Sequence, residues 1–561
     1  MVTRSILRPV LRPVTRAVSD TIRGFNPRSL FAAGEQGALY DLYDQSTLFQ
    51  DAAGTTPWTT LGQPLGLQRD KSKGLVRSAN LVTNGDFSSA TGWTAGAGWA
   101  IGSGVATATA SSADLSTDIG AVATRWYVVT FTVTRTAGSL TVIASGTATT
   151  TPTISASGTY TLYILASGAG STLIFRGSGF SGTIDNVSAV YEQGNHRYQT
   201  TPASRPTIEA LVNLCTKSEF PGGITDSTIR AGLITGASLP NWLGRFTTGI
   251  AFGHNGLITS YVYMGSAVAS AQHTFSVFVK MDDGNAPSFG SASAVNVAND
   301  FVLVVSGVAV SPLTYAVTSV GDGVYRVSVT VTVGVAALVF NGVAKYNINS
   351  SRTFKVTGYQ LELGSVASTY QRVNTATDYA DIGAPRRIKY DGIDDFLVTA
   401  PINFTGTDKM TVWAGVRKLS DAAQAIICEL STNATTTNGA FVLSAPASAA
   451  ANFSFASRGT ALSTQTTAGH AAPISRVLTG VGNIAGDVAA LSVNAVSATS
   501  STDQGTGNYG TYPIYFGARA GTSLRFSGEV FSPEVIRGAA STAAQIDMVE
   551  RIINRNMGGV Y

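Results

Sequence analysis

At 561 residues the chain is longer than one core supports, and length alone suggests roughly three to four domains. Charged residues make up only 12%, while 44% hydrophobic content and a mean hydropathy of +0.17 exclude a chain disordered throughout. The net charge of +4 is confined to the start: Arg4, Arg8, Arg12, Arg16, Arg23 and Arg28 face the single acid Asp20, so residues 1–28 carry +5 and the remainder −1. A nucleic-acid-binding body is excluded on that ground, because phosphate recognition needs a basic face on a folded domain. Cys215 and Cys428 fall in different segments, and His196, His254, His273 and His470 are scattered, so neither a disulfide framework nor a zinc site is expected. No apolar run reaches the roughly 18 residues of a membrane span, and Pro9, Arg12 and Pro13 interrupt any signal-peptide core.

Residues 1–28 space arginines every four positions from Arg4 to Arg16, but Pro9 and Pro13 oppose a helix, because an interior proline removes a donor and clashes with the preceding turn. An extended basic arm that orders on a partner is expected, with Arg4, Arg8, Arg12, Arg16 and Arg23 as its anchoring residues. Residues 29–79 contain Gly34-Glu-Gln-Gly37, Ser46-Thr-Leu-Phe-Gln-Asp51 and Gly62-Gln-Pro64. These words resemble a connector near the start of many tailed-phage structural proteins. Tyr40, Tyr43, Leu48, Phe49 and Trp58 are too many large apolar groups for a solvated tether, so the segment should pack on a folded body.

Residues 80–192 open on Asn80-Leu-Val-Thr-Asn-Gly-Asp-Phe87 and close on Ile184-Asp-Asn-Val-Ser188, enclosing the alternating stretches Trp126–Thr134 and Tyr160–Leu165. Period-two alternation predicts half-buried strands. The opening, Gly92-Trp93 and the close resemble carbohydrate-binding jelly rolls of the galactose-binding-like class, which implies that opening and closing strands pair. Residues 193–212, with Pro202 and Pro206, read as a linker. Residues 213–373 repeat the grammar, from Asn213-Leu-Cys-Thr-Lys-Ser-Glu-Phe220 to Val356-Thr-Gly-Tyr-Gln-Leu-Glu-Leu-Gly364, and predict a second sandwich of similar type. Residues 387–561, with Tyr390-Asp-Gly-Ile-Asp-Asp-Phe396, Met410-Thr-Val-Trp413, Ile514-Tyr-Phe-Gly517 and Phe526-Ser-Gly-Glu-Val530, resemble a concanavalin-like, laminin-G-type sandwich. A closing helix is predicted from a Thr542/Gln545 capping box, an apolar face of Ile546, Val549, Ile553 and Met557, and a stop at Gly558.

The expected fold is thus all-β: tandem jelly-roll sandwiches behind a basic arm, with one short C-terminal helix. Catalysis is not expected. Hydrolysis of a glycoside needs two carboxylates across the scissile bond, and the densest acids, Asp391, Asp394 and Asp395, lie in a turn where such residues bond the backbone. The same three are the candidate ligands of a calcium ion. Trp93, Trp99 and Trp242 are candidates for stacking on a sugar, against the competing expectation that aromatics in small sandwiches form core.

The resemblances together imply a virion structural protein, a head or tail fibre or spike. Such a protein joins capsid, portal or tail proteins by its N-terminus and displays sandwiches to host-surface glycans. It would be homo-oligomeric, with a trimer favoured, and have no membrane or nucleic-acid partner. A capsid decoration protein and a polysaccharide depolymerase with binding modules are the alternatives.

Overall fold

The structure, a computed structural model, describes residues 25–210 and 385–557 without interruption. Between them it describes 213–215, 217–222, 228–231, 234–253, 259–263, 271–288, 300, 302–305, 308–309, 314–333, 340–346, 351–363, 367 and 370–374, and after them 560. Arg4, Arg8, Arg12, Arg16 and Arg23 lie outside the described residues, as does Gly558. The chain is all-β with antiparallel sheets and a single long helix among the described residues, Ala543–Asn556. Two compact units divide it, one from the stretches up to Ile208 and from Ile388 to Arg555, the other from Glu209–Arg387 with the last residues.

The first unit holds two sandwiches, and the later one in sequence is built from three distant stretches. One of its sheets runs in the order Thr207–Ala210, Arg386–Asp391, Ser527–Arg537, Lys409–Lys418, Ile474–Asn483, Val488–Val493, Val496–Ser500. Gly37–Tyr40 pairs with the far end of Ser527–Arg537, Gly37 opposite Arg537 and Tyr40 opposite Glu534. The facing sheet begins with Leu48–Phe49, Leu67–Gln68 and Arg197–Tyr198 before reaching Leu397–Thr399, Ile514–Phe516, Ile426–Leu430, Ala440–Ser444, Asn452–Arg458 and Leu462–Ala468. Tyr40, Leu48, Trp58 and Leu65 are buried in the same core as Trp413's neighbours Val412 and Ala414. The segment 29–79 is therefore part of the last sandwich rather than a connector ahead of it. The expected linker 193–212 contributes two strands as well, Arg197–Tyr198 to one sheet and Thr207–Ala210 to the other. The 80–192 sandwich is inserted between these stretches.

That inserted sandwich is organised by two long strands, Trp126–Ala144 and Thr172–Glu192, paired antiparallel over most of their length. Register shifts between Ser178 and Gly182 mark where the pair bends. Gly138 makes the bend feasible: its φ is +68°, and a Cβ there would lie 2.1 Å from the Gly179 carbonyl oxygen. Alternation holds at Val129, Phe131 and Val133, which are buried between the less buried Thr130, Thr132 and Thr134. It fails at Trp126–Val128 because a second apolar cluster, with Phe49, Leu67, Tyr163, Leu165 and Ala400, covers the other face.

The second unit contains a six-stranded sheet ordered Ile234–Trp242, Phe246–Phe252, Phe354–Leu363, Ala271–Met281, Val324–Val333, Thr314–Gly321. A five-stranded sheet of shorter segments accompanies it. Phe275, Val277, Val279, Val327, Val329, Val356 and Leu361 form its core, with Cys215 buried among them.

The repeated opening motif has one physical role in both sandwiches. Asn80 Oδ1 accepts the Val82 and Ala189 N–H groups at 3.1 and 3.0 Å. Asn213 Oδ1 accepts those of Cys215 and Leu361 at 3.0 and 3.1 Å. In each case the asparagine side chain ties the opening segment to the closing strand, although residues 80–87 form no strand, so the strand pairing that the resemblance implies is replaced there by these bonds. The motifs end alike too: Phe87 and Phe220 are both fully buried at left-handed φ, +50° and +52°. The C-terminal helix starts on the predicted capping box, with Gln545 N–H donating to Thr542 Oγ1 and Thr542 N–H to Gln545 Oε1. Val549 and Ile553 are buried, Ile546 half-buried, and Glu550 accepts the Thr479 hydroxyl of the underlying sheet at 2.6 Å.

Candidate functional site

The acids Asp391, Asp394 and Asp395 do come together, each offering a carboxylate oxygen within 4.8 Å of the others. They occupy the turn between Arg386–Asp391 and Leu397–Thr399. Asp391 Oδ1 accepts the N–H groups of Ile393 at 2.7 Å and Asp394 at 3.3 Å, and Asp395 Oδ2 accepts that of Asp391 at 3.0 Å. Two partners from remote sequence brace the turn. Ser204 Oγ donates to Asp394 Oδ2 at 2.9 Å, and Arg525 Nη1 donates to the Asp394 carbonyl at 2.8 Å. Burial, with the charges of Asp391 and Asp394 beside it, pushes the Asp395 carboxyl up to about 6.

Chemically the turn offers three carboxylates with part of their lone pairs given to backbone donors. Calcium takes roughly six to eight oxygens, so these side chains supply only a fraction of a shell. A glycosidase pair needs two carboxyl groups opposed across a substrate, whereas these three lie on five consecutive residues of one turn. Ile393, at the tip, is 76% exposed. Sequence reading finds the acids but not Ser204 or Arg525, whose polar character gives no hint of a partner 190 or 131 residues away.

The tryptophans are placed as core. Trp93 is 8% exposed, packs against Phe87 and Phe175, and donates Nε1–H to the Asn84 carbonyl at 3.0 Å. Trp99, equally buried, stacks on Phe180 and donates to the Ala113 carbonyl at 3.0 Å. Trp242 lies in a buried cluster with Leu239, Phe246, Phe278 and Tyr370. Stacking on a sugar needs an open ring face, and in all three the faces are covered by other side chains.

Charged residues that carry no signal in the sequence form a largely buried seam in the first unit, with Arg77 at its exposed edge. Arg69 grips Glu192 with two bonds of 2.7 Å, Arg77 adds a third of 2.7 Å, and His196 Nε2 lies 3.1 Å from Glu192 Oε1. Asp70 N–H donates to His196 Nδ1, so the ring proton sits on Nε2 and points at Glu192. Burial alone would raise the Glu192 carboxyl, but His196 and Arg69 overcome it and hold the group down at about 2. Next to it, Arg197 donates to Gln68 Oε1 and Glu534 while lying 4.1 Å over the Tyr40 ring. The seam joins residues 68–70, 192–197 and 534, and its role is structural. Arg28 belongs to the folded body as well, its guanidinium lying against Gly74.

No family model and no curated protein matches the chain. Among solved structures it is similar to the CBM40 module of the Ruminococcus gnavus IT-sialidase bound to α2,3-sialyllactose, at 16% identity and a TM-score of 0.22, over 26% of this chain and 83% of that one. It is also similar to the heptameric SAP-like pentraxin of Limulus polyphemus, at 12% identity and a TM-score of 0.24, over 29% and 81%. The botulinum neurotoxin serotype D binding domain is similar at 10% identity and a TM-score of 0.24, over 29% and 42%. Each likeness spans less than a third of the chain.

Proposed function

We propose that the chain is a virion structural protein of a tailed bacteriophage, a fibre or spike on the head or tail. It binds the particle through residues 1–24 and presents its sandwiches to glycans on the host surface, by contact rather than turnover. The motifs in residues 34–64 support the phage reading. The observation that carries the attachment reading is the fold-back of this segment: Gly37–Tyr40 is hydrogen-bonded in register to Glu534–Arg537, and the Leu42 N–H reaches Ser532 Oγ at 2.9 Å across 490 residues of sequence. A load on the arm therefore enters a two-sheet sandwich directly instead of a loose tether. Many copies on one particle, each a trimer in this reading, would let weak single contacts hold a host cell.

Deletion of residues 2–24 tests it, because this removes the arm and leaves Asn26, which caps the first helical turn, in place. The truncated protein should be soluble, with the thermal midpoint of the full chain, and absent from purified particles assembled in its presence. Normal incorporation of the truncated form would refute the arm as anchor.

A further inference from the structure

We infer that the end of the C-terminal sandwich where Lys418, His470 and Arg476 converge is a binding site for one carboxylate of an acidic saccharide. Lys418 and Arg476 lie on neighbouring strands whose registers are Lys418 opposite Ile474 and Val416 opposite Arg476. Val416 is in the core and Ile474 packs against it, so both cations project from the inward face of their sheet, at its rim. The Lys418 side chain is fully buried; its ammonium pairs with Asp421 Oδ1 at 2.6 Å, donates to the Asn452 carbonyl at 3.1 Å and sits 4.6 Å over the Phe453 ring. The His470 ring packs on the same phenylalanine at 5.2 Å, and its Nδ1 is sealed from solvent with no hydrogen-bond partner.

Among the described residues Asp421 is the acid in contact with this group: its Oδ1 is ion-paired with Lys418, and its Oδ2 accepts the Ala472 N–H at 2.6 Å. Among the described residues the half-buried Arg476 guanidinium donates to the Ser475 carbonyl, at 2.8 Å, and to no acid. Lysine and aspartate cancel, so one net positive charge remains on a planar fork of donors. Burial lowers the proton affinity of Lys418, His470 and Arg476, and the Arg476 charge adds repulsion at the first two. A single charge and a planar fork match a carboxylate better than a tetrahedral dianion.

The rim suits a sugar ring. Three loops meet here through bonds of Ala425 N–H to the Pro446 carbonyl, His470 N–H to the Ala451 carbonyl and Ala472 N–H to Asp421. Their exposed side chains are small, Ala422, Ala423, Ser448, Ala449, Ala450 and Ala471, and Arg476 itself is only half-buried. The ligand's biological source rests on the host-surface reading above, whereas the site itself does not.

The test is titration of the full-length protein with an oligosaccharide of alternating glucuronate and N-acetylglucosamine, against a neutral chito-oligosaccharide of equal length and inorganic phosphate. The acidic sugar should bind and weaken with added salt, and the neutral one should not bind. Loss of the bidentate, charge-assisted contact in Arg476→Gln should lower affinity roughly tenfold or more. Arg476→Lys, which keeps the charge and loses the fork, should recover only part of it and covers the case in which Arg476→Gln perturbs folding. Equal binding of the neutral sugar, phosphate binding as tight as the sugar, or an unchanged affinity in both variants would overturn the assignment. None of these outcomes bears on particle incorporation of the 2–24 deletion, so the two proposals fail separately.

Discussion

Asn213→Ala should be among the most damaging single substitutions in the second unit, although it removes only a small polar group. The side chain is 5% exposed and makes all four bonds its chemistry allows. Oδ1 accepts Cys215 and Leu361 N–H at 3.0 and 3.1 Å, and Nδ2 donates to the Tyr359 and Gln371 carbonyls at 2.9 and 2.8 Å. Each bond contributes a net of about 1 kcal/mol, and the two buried N–H groups lose any alternative acceptor, so the cost is about 4 kcal/mol. Asn80→Ala removes the corresponding clamp in the first sandwich, but Asn80 is exposed and water can replace it, so about 1 kcal/mol is expected there. Hydrogen–deuterium exchange on the full-length protein separates the two, because it reads peptides 213–220 and 354–363 independently of the other sandwiches. At 1.4 kcal/mol per tenfold, protection in those peptides should fall by nearly a thousandfold in Asn213→Ala, against several-fold at 80–87 in Asn80→Ala. Asn213→Asp should be no milder, since it keeps the acceptor but turns an oxygen toward two carbonyls. Equal losses in the two alanine variants, or less than about tenfold in Asn213→Ala, would show that the clamp is an incidental contact.

Acid should weaken the first unit through Glu192. Its carboxyl is held at about 2 in the fold against an ordinary 4.5, so the stabilisation is complete above pH 4.5 and is lost as pH falls toward 2. The shift corresponds to about 3 kcal/mol, measurable by urea titration across that window, and Glu192→Gln should abolish this pH dependence while destabilising the protein at pH 7 by leaving Arg69 buried without its partner. Asp395 behaves in the opposite sense. Its carboxyl is raised to about 6, so its penalty is absent below pH 4 and grows as pH rises to 6. Asp395→Asn keeps an acceptor for the Asp391 N–H and should stabilise the protein at pH 7 by about 1–2 kcal/mol, allowing for solvent screening, with no gain at pH 4. A variant less stable than the parent at pH 7 would refute the reading of that turn.

What the sequence discloses and conceals follows from the range over which each signal acts. Alternation at Val129, Phe131 and Val133 and the Thr542/Gln545 box are local, and both are visible because the groups that meet are two or three residues apart. The asparagine clamps are half-local: the repeated opening word marks Asn80 and Asn213, but only the fold reveals that their oxygens reach Ala189 and Leu361. The seam lies at the other extreme. Leu67–Gln68 and Arg197–Tyr198 are two-residue strands, too short to carry a period, and His196, Arg197 and Arg69 look like surface residues until Glu192 and Glu534 neutralise them from afar. A linker and a short charged strand have the same composition. What distinguishes them here is a carboxylate on another segment, and for Arg197 the partner is 337 residues distant. Arg476 extends the same logic past the chain: the buried arginines of the seam, Arg69 and Arg197, have acid partners within the fold, whereas Arg476, half-buried on an inward face, has none among the described residues, and the missing charge is the one an acidic ligand would bring.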